Sequence, residues 1–169
     1  MLIRAFAAAK QVSDDFRKIK LLGTMVEHLS PKESGALIAG ALAAAEGITH
    51  GAGRAIVLAA IAKWLAPEQR LRVLARALEA VEAIAEFRAP ARDPTFRKSV
   101  ENAYPSAPEF YTDFGITEGH AVAAIATSLS TDQDQELLTR TLAAVERISG
   151  HGDQATALAA ISNTRTHCS

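Results

Sequence analysis

The chain predicts an all-α fold, an α-solenoid of four antiparallel helix-pair repeats, each of about 36 residues, with a 28-residue insertion in the third. The first observation behind this is a fixed period. Phe6, Leu42 and Leu78 stand 36 residues apart, as do Val12, Ile48 and Ile84, and Leu142 and Ile148 follow after 64 residues, one period plus the insertion. The second is composition. Hydrophobic residues make up 49% of the chain, yet only 5% is aromatic and much of the rest is Ala, a mixture that suits closely packed helices. The third is the spacing of apolar residues inside each copy, which is helical throughout. At 169 residues the chain is expected to form a single helical-repeat domain. Its repeats cover 1–36, 37–72, 73–136 with the inserted loop 85–117, and 137–169.

The first helix of each copy is built from matching columns. Leu2, Ile38, Leu74 and Leu138 form one, followed by Ala5, Ala41, Ala77 and Thr141, then Phe6, Leu42, Leu78 and Leu142. Ala9, Ala45, Val81 and Val145 come next, and Val12, Ile48, Ile84 and Ile148 close the face. The small-residue column lets a neighbouring helix approach. The second helix has its own stripe: Leu22, Leu58, Val122 and Leu158, then Met25, Ile61, Ile125 and Ile161. Leu29, Leu65 and Leu129 follow one turn later, where the fourth copy has Arg165; Ser162 likewise replaces Val26, Ala62 and Ala126. A more polar last helix is what the end of a stack requires.

Turn chemistry separates these helices. Ser30-Pro31-Lys32-Glu33 reads as a capping box with Pro at the first helical position, Ala66-Pro67-Glu68-Gln69 keeps the Pro, and Ser130-Thr131-Asp132-Gln133 keeps the hydroxyl. Ser13-Asp14-Asp15, Thr49-His50-Gly51 and Ser149-Gly150-His151-Gly152 supply stops and N-caps within copies. Eight helices in four antiparallel pairs are expected. A single amphipathic pair cannot bury its apolar side, so the columns between copies carry most of the stability, at roughly 1.5–3 kcal/mol per buried Leu or Ile.

The pattern Ala41-Leu42-Ala43-Ala44-Ala45-Glu46-Gly47-Ile48, with Arg54 to Ala62 and Leu65-Ala66-Pro67, resembles the Ala/Leu-rich repeats of the HEAT- and TPR-like α-solenoids. It is especially similar to arrays appended to bacterial signalling ATPases. The resemblance covers all four copies outside the insertion. It implies a scaffold that binds another protein or peptide. No phosphate-binding Gly-x-x-x-x-Gly-Lys-Ser/Thr run accompanies it.

Charge and targeting signals narrow the class. A net charge of −1 gives no broad field for nucleic acid or an anionic membrane, and the basic cluster Arg88, Arg92, Arg97 and Lys98 is diluted by Asp93 and Glu101. Ala36 to Ala45, the longest uncharged apolar stretch, is short of the ~20 residues a membrane span needs. The opening Met1 to Phe6 has no signal-peptide pattern, and the single cysteine, Cys168, makes no internal disulfide. A cytoplasmic location is expected, with secretion lacking a cleaved leader as the alternative.

Binding residues are sought where matched copies differ. The insertion holds six of the nine aromatics, among them Tyr104, Phe110, Tyr111 and Phe114, and four of the six prolines. These rings either fold back onto the repeats or meet a partner. On the second helices the column His28, Trp64, Ser128, Thr164 changes chemistry at each copy and is expected to face a partner, with Trp64 as an anchor. The uniform columns Arg4, Arg76, Arg140 and Glu46, Glu82, Glu146 read as a solvated face.

No cofactor and no metal is expected. His50 and His151 lie in equivalent turns, separated by roughly 20 Å of stacked helices, and read as turn or capping residues. No His-x-x-x-His spacing places two ligands on one helix face. The leading expectation is therefore a non-enzymatic interaction module. The alternative is an enzyme whose site is assembled by the insertion, with Glu101, Asp113 or His120 as acid or base.

Overall fold

A computed structural model describes residues 2–28, 35–88, 117–129, 135–148 and 150–166. Among them stand eight α-helices and no strand: α1 (Leu2–Lys10), α2 (Asp15–Glu27), α3 (Gly35–Glu46), α4 (Gly51–Ala62), α5 (Pro67–Arg88), α6 (Glu118–Ser128), α7 (Gln135–Arg147) and α8 (His151–Thr166). The all-α expectation holds. The expected capping turns at Ser30–Glu33 and Ser130–Gln133 lie outside the described residues, whereas Pro67 opens α5 as its sequence predicts. α5 continues to Arg88, so helix runs on past Ile84 into the segment read as an inserted loop.

Local chemistry explains the observed starts. The Asp14 carboxylate accepts the Arg17 N–H at 3.0 Å and caps α2. Thr117 caps α6 through the His120 N–H at 3.3 Å. At α4 the cap is His50, whose Nδ1 accepts the Gly53 N–H at 3.0 Å, the capping role expected of it.

The even-numbered helices pack in an unbroken run, α2 on α4, α4 on α6 and α6 on α8. Of the others, α1 packs on α3 and α5 on α7. Each odd helix also packs on the even helix that follows it, and the most extensive contact joins α4 to α5. One core threads all of this. Phe6, Leu22, Ile48, Leu58, Ile61, Leu74, Leu78, Val122 and Ile125 are all at most 2% exposed. Ala41, Ala44 and Ala45 are fully buried, and their small side chains are what allow the close approach.

Polar contacts tie the first helix pair to the second. Lys18, only 5% exposed, donates from Nζ to the Gly47 carbonyl at 2.9 Å, placing a cation at the C-terminal end of α3. The Asp15 carboxylate accepts the N–H groups of Thr49 and His50, each at 2.8 Å, and the Thr49 hydroxyl. Partial burial pushes the Asp15 pKa up, but the Thr49 hydroxyl, the two N–H groups and the Lys18 charge outweigh it and hold it below the ordinary 3.8. A carboxylate held down in the folded state contributes stability above its unfolded pKa and loses it as pH falls through the folded one. Asp15→Asn should therefore lower the thermal midpoint at neutral pH, and the gap to the unmodified chain should close below about pH 3.8. Melting curves across an acid titration check this; a gap independent of pH would exclude the ionic part.

Candidate functional site

The first helices part between α3 and α5. A groove of about 360 Å³ opens there, with Ile38, Leu42, Leu65 and Val73 as its apolar lining and Gln69, Arg72 and Arg76 as its polar side. The α5 residues recur at helical spacing and so share one face. The junctions of α3 with α1 and with α5 differ at two matched positions. Where α1 meets α3, the later helix carries Ala36 and Gly40, and a Cβ on Gly40 would lie 3.7 Å from the Phe6 Cβ, an ordinary packing contact. Where α3 faces α5, Arg72 and Arg76 occupy the same positions. Both cations line the groove from the α5 side. Ile38 and Leu42 are half-buried, while Leu74 and Leu78 in the same columns are fully buried.

Arg76 pairs with Glu46 across this junction and lines a second, more polar pocket of about 260 Å³ together with Arg54, Leu58, Glu79 and Ala80. The same link recurs between α5 and α7, where the Arg140 guanidinium donates to Glu82 at 2.9 Å and Arg147 stands 3.9 Å from the same carboxylate. The columns read as a plain solvated face are thus half-exposed and bridge one copy to the next. Such pairs contribute about 0–1 kcal/mol each and act mainly on register.

Of the partner-facing residues named from sequence, Tyr104, Phe110, Tyr111 and Phe114 lie outside the described residues, as do Glu101 and Asp113. His28 is exposed and caps the C-terminal end of α2, its N–H reaching the Met25 carbonyl at 3.3 Å. Trp64 sits in the turn after α4, half-buried against the core. It is Leu65, the next residue, that lines the groove. At Ser128 the varied column does hold helices together: its buried hydroxyl lies 3.2 Å from the Ala59 carbonyl of α4 and 2.9 Å from that of Ala124. His120 is exposed at the start of α6, its Nδ1 2.7 Å from the Thr117 hydroxyl. Among the described residues no group of three or more His, Cys, Asp or Glu is placed to hold a metal, and no helix is long and apolar enough to cross a membrane.

No protein-family model, no curated protein and no solved structure matches the chain.

Proposed function

We propose that the chain is a non-enzymatic interaction module, an α-solenoid of four stacked helix pairs whose α3–α5 groove takes a segment of a partner protein. The pairwise packing of even helices and the recurring Glu–Arg links support the stacked arrangement. The observation that carries the binding role is the groove itself: half-buried Ile38, Leu42 and Leu65 beside Arg72. That combination fits a peptide with an apolar side chain next to a carboxylate, the apolar part supplying most of the affinity and the charge its orientation. The aromatic insertion, through Tyr104, Phe110, Tyr111 and Phe114, is the second element of the reading and grips the same partner.

Peptide-display selection against the full chain tests this. The selected sequences should be enriched in an acidic residue adjacent to Leu, Ile or Phe. Leu42→Asp and Arg72→Glu should each weaken the best peptide by about tenfold or more, roughly 1.4 kcal/mol, with helicity and melting unchanged. Selected peptides that bind both variants as tightly as the unmodified chain would remove the groove from the reading.

A further inference from the structure

We infer that the two ends of the stack join in a second copy of this chain, head to tail, so that the α7–α8 pair of one molecule is covered by the α1–α2 pair of the next. This rests on the stacked arrangement proposed above and not on the groove. Among the described residues the exposed large hydrophobic residues are Leu21, at 40%, and Leu158, at 47%. Each belongs to a column that is buried in all other copies. Val57, Ala121 and Ala157 match Leu21 and are at most 1% exposed; Leu22, Leu58 and Val122 match Leu158 and are at most 2% exposed.

The pattern extends beyond these two side chains. Ala8 is exposed where Ala44, Ala80 and Ala144 are buried, which marks α1 and α2 as the face that an earlier pair would cover. Ala155 is exposed where Ala55 and Gly119 are buried, which marks α8 as the face that a later pair would cover. The two faces therefore expose positions that are buried at the internal junctions.

Charge selects a copy of the chain as the occupant. In both internal links the Glu belongs to the earlier copy and the Arg to the later one, Glu46 with Arg76 and Glu82 with Arg140. Glu146 and Arg4 are the members of these columns outside the two links; both are exposed, and neither has an ion pair among the described residues. Placed end to end, Glu146 of one molecule meets Arg4 of the next in the register already used twice within the chain. His151 likewise falls opposite Ser13 and Asp14 of the next molecule, in the place where Asp15 grips Thr49 and His50. Such a contact joins two different faces, so it propagates into chains or closes into a ring and does not stop at a two-fold dimer.

Sedimentation velocity of the full chain, over about a hundredfold range of concentration, tests the inference. The average mass should climb with concentration past that of a dimer. Arg4→Glu alone and Glu146→Arg alone should each weaken assembly severalfold, with melting measured to show that both remain folded. Mixing the two single variants should restore assembly, because the reversed head of one then meets the reversed tail of the other. Leu21→Asp should leave monomers. A chain that stays monomeric throughout, or assembly that both charge reversals leave intact, overturns the inference. The stack itself is read separately, from the unequal effects of trimming Leu58 and Leu158 in dilute monomer, so its failure and that of end-to-end assembly are distinguishable.

Discussion

Leu58→Ala is expected to destabilise the fold by about 2–5 kcal/mol, whereas Leu158→Ala, at the same position of the repeat, should cost at most about 1 kcal/mol. In sequence the two residues are equivalent, each opening the apolar stripe of a second helix. In the structure Leu58 is 2% exposed, inside the α4 contacts with α2, α5 and α6, and Leu158 is 47% exposed on the outer side of α8. Removing three carbons from Leu58 takes away both transfer free energy and the contacts that its neighbours cannot re-form across the resulting void. Leu158 leaves no such void, because water already reaches it. Guanidinium melts of both variants, in dilute solution where chains are separate, give the comparison. Equal losses would mean that α8 is covered in the monomer, and the reading of α8 as an end face would fall.

Gly119→Ala should cost about 1–3 kcal/mol, although Ala is the better helix former, while Gly23→Ala should add about 0.5–1 kcal/mol. The difference is a matter of which atom stands in the way. A Cβ on Gly119 of α6 would come within 2.6 Å of the Asp153 carbonyl oxygen and 2.7 Å of its Cα, both backbone, so α6 and α8 would have to separate. At Gly23 nothing lies within 4 Å, and only the propensity gain remains. Gly53 is an intermediate case. Its added Cβ would meet the end of the Ile19 side chain, which can rotate aside at the cost of an altered rotamer. The predicted order of stability is therefore Gly23→Ala, unmodified chain, Gly53→Ala, Gly119→Ala. A neutral Gly119→Ala would show that α6 and α8 do not meet at this distance.

Gly53 and Gly119 also show how the α2–α4 and α6–α8 contacts differ. Between the first two copies the large partner is Ile19 and the small one Gly53; between the last two, the corresponding positions hold Gly119 and Asp153. The close approach is kept and the residue that yields space changes sides. Column-by-column reading of the sequence treats such positions as unrelated variation, because it sees one helix at a time. The link from Glu46 to Arg76 was hidden for the same reason: each column looked uniform and solvated until the partner in the next copy was placed beside it. Caps were more legible. Asp14, His50 and Pro67 act within a few residues of themselves, so local order in the chain suffices to identify them.

By itself the sequence determined that this protein is helical and where α2, α4 and α5 begin. These follow from periodicity and capping, interactions that span one or two turns of backbone. Only the tertiary structure decided how exposed each member of a column is. It opened the groove between α3 and α5, and it left Leu21 and Leu158 exposed. Burial depends on what packs against a residue from elsewhere in the chain, and identical side chains at identical repeat positions differ whenever their neighbours do.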